Sequence, residues 1–219
     1  MSRHARLVAA VVLAMGGLWV AGCGDSTDKL KSDDSATCVQ GLRELAKSSR
    51  DEAVQKVAET VGHRDEVVAA EAVRALGQIR RPRAAEALKQ VASAERRGVV
   101  RQEAVIQLGR RPDANSLEVL RQVVETDPDP RVRAAAATSL ARLGSLTDVP
   151  LLVKVAENDD DLVVQSRAVG AVESLSGLKF GYDSKAPVDE RKRALERMRG
   201  VAATAAAVLI EERKKQGRG

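Results

Sequence analysis

A 32-residue step constrains the fold of this chain more than any other feature of its sequence. Val68, Val100, Val132 and Val164 lie 32 apart, as do Ala72, Ala104, Ala136 and Ala168. Leu76, Leu108 and Leu140 make a third column, continued by Val172. Within one copy the spacing is i, i+4, i+8, which puts these side chains on one helical face. A second apolar set, Leu88, Leu120 and Leu152 with Val91, Val123 and Val155, follows at the same step. Two helices per copy, repeated in tandem, predict an all-α chain: an α-α solenoid of about four to five helical-hairpin repeats.

Composition agrees with this reading. Aromatic residues are only 1% of the chain, so the core must be built of Ala, Val and Leu. Those small side chains suit closely packed helix pairs, and the aromatic and β-branched runs of a sandwich are missing. The formal charge of +5 is unevenly spread. From Lys185 onward there are ten basic and five acidic residues, whereas Gly24 to Ser184 holds 24 basic and 26 acidic. A basic tail on a slightly acidic body, with few aromatic stacking platforms, argues against nucleic acid as a partner.

The repeat divides the chain. Residues 37–176 read as the solenoid, 177–187 as an inserted loop, and 188–219 as capping helices with a basic, frayed tail. A weaker first copy stands at a step of 31: Gly41, Leu42 and Leu45 precede Ala72, Val73 and Leu76, and Val57 precedes Leu88. Helices are expected near 65–79 and 82–94, parted at Arg81-Pro82, with turns at Arg111-Pro112-Asp113, at Gly144 and at Asp148 before Pro150. Asp65, Asp129 and Asp161 recur ahead of the first helices, where a carboxylate can cap free amides; Arg97 breaks the column.

The pattern Val-Arg-x-x-Ala-x-x-x-Leu, from Val100 to Leu108 and from Val132 to Leu140, resembles HEAT-like repeats of the short bacterial, PBS-lyase type. Asp129, Gly77 and Gly109 match that family too, while Ala69, Gln165 and Ala141 depart from it. The resemblance implies a binding scaffold with a protein partner. It leaves open an enzyme or enzyme subunit, since related proteins include bilin lyases, and a structural envelope component. The segment after Ser176, Gly177-Leu178-Lys179-Phe180-Gly181-Tyr182, resembles a loop of HEAT-like proteins from planctomycete bacteria.

The amino terminus has a basic start (Arg3, Arg6), an uncharged stretch from Leu7 to Val20, and small residues before Cys23, so 1–22 reads as a signal peptide. Fourteen apolar residues at about 1.5 Å each fall short of a bilayer core of about 30 Å. Val20-Ala21-Gly22-Cys23 resembles the bacterial lipobox, which implies that Cys23 carries lipid, palmitate included, and tethers the protein extracytoplasmically to a cell membrane, in the periplasm or at the surface. Gly24 after the cysteine leaves inner and outer membrane unresolved. Residues 23–36 read as a lipid-anchored flexible linker, long enough to reach about 45 Å. Cys38 then has no intrachain partner; burial and an intermolecular disulfide are its two readings.

Few residues suggest chemistry. His63 is the one histidine beyond the signal segment, and no cysteine cluster accompanies it, so neither a metal nor a cofactor is expected. No nucleophile elbow or phosphate-cradling loop is present. Ser176-Gly177-Leu178-Lys179 and Ser26 to Lys29 match Ser-x-x-Lys without its companion motifs, and Asp159-Asp160-Asp161 suits helix capping better than calcium. The expectation is therefore no catalytic residue. Candidate partner-binding residues are two ladders on the second helices, Lys89 with Arg121 and Gln90 with Gln122 and Lys154, which an acidic protein or peptide could cross. Phe180 and Tyr182 join them, either as partner anchors or as a plug folded back on the repeat end.

Overall fold

The computed structural model describes residues 26–48, 50–111 and 114–216, without the side chains of 114–115 and 205–216. The expected signal peptide, Cys23, the Pro112-Asp113 turn and residues 217–219 lie outside the described residues. All regular structure among the described residues is helical. Among the described residues from Ser35 onward, ten α-helices follow one another: α1 (Ser35–Leu45), α2 (Asp51–Thr60), α3 (Glu66–Gln78), α4 (Pro82–Ala94), α5 (Gly98–Leu108), α6 (Ala114–Thr126), α7 (Pro130–Leu143), α8 (Val149–Asn158), α9 (Leu162–Ser176) and α10 (Val188–Gln216). A 3-10 turn, Leu146–Asp148, leads into α8. No helix among the described residues is long and apolar enough to cross a membrane.

The helices group into two compact units, divided after Ala84, within α4. In the amino-terminal unit α1 and α2 both pack on α3. Leu42, Val57, Val68, Ala72 and Leu76 are wholly buried there. In the carboxy-terminal unit α7 packs on α5, α6 and α9, and α8 on α9 and α10. The repeat columns account for its core: Val100, Val132 and Val164, Ala104, Ala136 and Ala168, and Leu108, Leu140 and Val172 are all at 0% exposure. The second-helix leucines Leu88, Leu120 and Leu152 match them. Small side chains let the helices approach closely. A Cβ placed at Gly109 would fall 2.6 Å from the Cβ of Ser139, whose hydroxyl donates to the Val105 carbonyl at 3.2 Å.

The first helices start as the aspartate column predicts. Asp65 caps α3, Asp129 caps α7 and Asp161 caps α9, each carboxylate accepting a first-turn amide. Arg97, at the α5 position, makes no side-chain cap. Asp34 also belongs to the column, accepting from the amides of Ala36 and Thr37 at the start of α1.

That cap begins the correction of the flexible-linker reading for 23–36. Residues 26–29 are helical and lie on α1. Ser26 Oγ donates to Glu44 Oε2 at 2.8 Å, and Lys29 Nζ to Glu44 Oε1 at 2.9 Å. Gly41 makes the docking possible, since a Cβ there would lie 2.8 Å from the Ser26 carbonyl oxygen. A polar sequence looked like a tether, but its hydroxyl and ammonium groups find one carboxylate on the neighbouring helix. Beneath this strap Cys38 is fully buried, its thiol donating to the Ser32 carbonyl at 3.1 Å, and burial pushes its pKa up.

The carboxy-terminal end also differs from expectation. Where capping helices were expected over 188–219, α10 is one helix from Val188 to Gln216, continuous through Gly200. Its buried stripe is Ala194, Met198 and Ala202, while Val188 is 53% exposed.

Candidate functional site

The second helices carry the expected ladders, but their cations sit beside the chain's own carboxylates. Lys89 Nζ lies 2.5 Å from Glu86, Arg121 Nε 2.6 Å from Asp148, and Lys154 Nζ 2.7 Å from Glu125. Arg121 is held to its charged form first by the hydrogen bond to Asp148, which outweighs its desolvation. Gln90 and Gln122 are exposed. Each ladder cation therefore has a carboxylate of its own chain beside it, which offsets part of the positive charge that the residue types suggest.

The aromatic pair is divided. Phe180 is only 4% exposed, so its ring is packed inside the chain and does not stand out as a partner anchor. Its amide donates to Glu173 Oε1 at 2.9 Å, and its carbonyl accepts from Arg197. Gly177 and Gly181, both at positive φ, let the chain reverse around it. Tyr182 is half-buried and donates its hydroxyl to Gln165 Oε1 at 2.7 Å; burial raises its pKa. The loop closes over α9 and meets α10.

The two-pronged, largely buried charge pairs of the structure were not among the sequence candidates. Arg101 Nε and Nη2 each donate to a different oxygen of Asp127 at 2.8 Å, and Arg133 repeats this on Asp159 at 2.7 and 2.8 Å. Arg101 Nη1 also donates to the Glu95 and Arg96 carbonyls, Arg133 Nη1 to the Asp127 carbonyl, and Gln165 Nε2 to the Asp159 carbonyl. Each carboxylate holds the amide two residues on, Asp127 that of Asp129 and Asp159 that of Asp161, both at 2.9 Å. The braces tie the first helix of a repeat to the end of its second. Burial pushes Asp159 up, but Arg133 and the Asp161 amide outweigh it and leave the carboxyl below the usual range. The signal was available: Arg101 and Arg133, and Asp127 and Asp159, recur at the repeat step, 26 residues apart within each copy.

Above the Arg101–Asp127 brace is a recess of about 250 Å³. Ala92, Ala94, Val123 and Pro128 form its apolar wall; Ser93, Glu95, Gln122 and Thr126 surround the brace. Gln122, a ladder residue, is thus at a cavity mouth. Arg97 holds Glu95 below the usual carboxylate range. One repeat further on, Glu125 and Lys154 replace Ser93 and Gln122 and form an ion pair between α6 and α8. A second cavity, of about 420 Å³, lies in the amino-terminal unit beside His63, whose Nδ1 accepts the Asp65 amide at 3.0 Å. Among the described residues no group of three His, Cys, Asp or Glu is placed to hold a metal ion.

No curated protein matches the chain. Among solved structures it resembles the complex of CpcE and CpcF of phycocyanin lyase from Nostoc sp. PCC7120, with a TM-score of 0.54, 20% identity, and coverage of 69% of this chain and 98% of that one. It also resembles an engineered protein at a TM-score of 0.47 and 22% identity, covering 82% of this chain and 97% of that one. At such identities the likeness concerns the fold alone. The family model for HEAT repeats matches residues 27–109 and 90–173, so its first match includes the strap. Two-thirds of the sequence is accounted for in this way, and the chain belongs to the HEAT-repeat family.

Proposed function

We propose that this protein is a non-catalytic protein-interaction scaffold, held extracytoplasmically at a bacterial membrane by lipid on Cys23. The observation that carries the scaffold reading is the open polar recess at one repeat, where the next repeat is bridged by its own ion pair. HEAT repeats fit that role, because stacked hairpins offer repeated helix faces with little constraint on the residues displayed. The anchor rests on Val20-Ala21-Gly22-Cys23 following an apolar run. With the strap folded from Ser26, three residue steps separate it from Cys23, at most about 11 Å of chain. The amino-terminal unit would then stand close to the lipid headgroups.

Crosslinking in cells followed by affinity capture tests the scaffold. A specific partner recovered across growth conditions supports it, and none recovered counts against it. A turnover activity abolished by His63→Ala would replace it with an enzyme.

A further inference from the structure

We propose that one edge of the amino-terminal unit, formed by the α1–α2 and α3–α4 turns, docks on anionic phospholipid headgroups. This rests on the anchored reading and adds which edge meets the lipid and what charge that lipid carries. α1 and α3 lie side by side in the same direction. Ser35 Oγ donates to Asp65 where both begin, Arg43 Nε to Glu71 Oε1 at 2.8 Å further along, and Arg81 Nη2 to Asp51 Oδ1 at 3.0 Å where both have ended. The turns that follow these helices therefore share one edge. On it Lys47, Arg50, Arg80, Arg81 and Arg83 stand against Asp51 and Glu52, and all seven are exposed. Arg81 is paired with Asp51, whereas Lys47, Arg80 and Arg83 make no ion pair among the described residues. The opposite edge, residues 31–34 and 59–66, has the reverse balance: Asp33, Asp34, Glu59, Asp65 and Glu66 against Lys31, Arg64 and His63. A unit charged in this way turns its basic edge to an anionic surface and its acidic edge away.

The path of the chain selects a lipid surface as the occupant. The strap runs antiparallel to α1: the Ser32 carbonyl meets Cys38, and Ser26 Oγ reaches Glu44 Oε2 at 2.8 Å. Glu44 precedes Lys47 by three residues, so the first residue of the strap lies beside the basic edge and away from the acidic one. Three residue steps, at most about 11 Å, lead from there back to Cys23. An acyl chain on Cys23 brings the lipid surface to Lys47 and its neighbours, and acylation with a basic patch holds a protein more durably than either does alone. Each cation at an anionic surface strengthens binding roughly fivefold. A soluble polyanion gains nothing from the tether.

Vesicle co-sedimentation tests this with the chain from residue 23 onward, which holds every described residue, carrying Cys23→Ser so that no acyl chain contributes. Phosphatidylcholine vesicles containing phosphatidylglycerol should bind it at about 0.01 M salt and release it at about 0.15 M, as the Debye length falls from about 30 to about 8 Å. Vesicles of phosphatidylcholine alone should bind at least about tenfold more weakly. Lys47→Gln/Arg80→Gln/Arg83→Gln should weaken binding to the anionic vesicles at least about tenfold, and Lys214→Gln/Lys215→Gln/Arg218→Gln, in the basic tail, should leave it within about twofold. Equal binding to both vesicles, an unchanged edge variant, loss in the tail variant alone, or tighter binding of a polyglutamate peptide would each overturn the proposal. An NMR titration of the unaltered edge with short-chain phosphatidylglycerol should shift residues 47–52 and 80–84. Shifts confined to other residues would sink it too, so the decision holds even if the edge variant folds poorly. The vesicle assay uses no acyl chain, so its failure spares the anchor on Cys23. A protein found without lipid on Cys23 that still binds anionic vesicles would sink the anchor and spare the edge.

Discussion

At the scale of single residues, the braces matter more to stability than any exposed charge. Arg101 and Asp127 are both buried, so Arg101→Ala strands a carboxylate in the interior. That substitution should cost about 3 kcal/mol, measured by urea unfolding, with Lys154→Ala below about 1 kcal/mol because its pair is exposed. The depressed carboxyls set the pH dependence. Asp159 and Glu71, the latter pushed up by burial but pulled lower overall by Arg43 and Arg74, both fall below their ordinary values on folding. A group with a folded pKa below its unfolded one contributes stability above the unfolded value, about 4, and loses it as pH falls through the folded value. Thermal melts should therefore be flat near neutrality and drop below about pH 4. Asp159→Asn should make that drop shallower; an unchanged acid limb would show that the brace carries none of it.

At the scale of elements, the strap and the loop turn local polarity into packing. Residues 26–32 cover Cys38 through Glu44. Glu44→Ala should therefore speed labelling of Cys38 by a thiol reagent in the native protein. Equal labelling rates before and after would mean that the strap does not gate the thiol. The loop depends on Phe180, and Phe180→Ala should cost about 3 kcal/mol through the cavity it leaves, read as a lowered denaturation midpoint. Tyr182→Phe removes one hydrogen bond to Gln165 and should cost about 1 kcal/mol. The contrast between Phe180 and Tyr182 was not legible in the sequence. Both lie in one glycine-flanked segment, and only the fold of the chain over α9 decides which ring is covered.

At the scale of the whole molecule, Cys23→Ser should move the protein from the membrane to the soluble fraction, and retention in the membrane would remove the lipid from the account. Much of the architecture could be read beforehand because helix pairs impose a period: the apolar columns from Val68 to Val164 are the buried core, and the aspartates ahead of them are the caps. Residue spacing along one chain was enough to encode the helical repeat and its apolar faces, though not where the folded part begins. Tertiary structure alone decided the pairing of charges. Whether Arg121 and Lys154 faced a partner or carboxylates of a neighbouring element depended on which elements came side by side, whereas Lys89 pairs with Glu86 within its own helix. The same holds for the strap, read as linker from its polarity, and for the recess, which exists because Ser93 and Gln122 meet where Glu125 and Lys154 meet one repeat later. Burial follows from hydrophobic pattern, but a polar side chain's partner is set by distance in space, and spacing in sequence does not encode that distance.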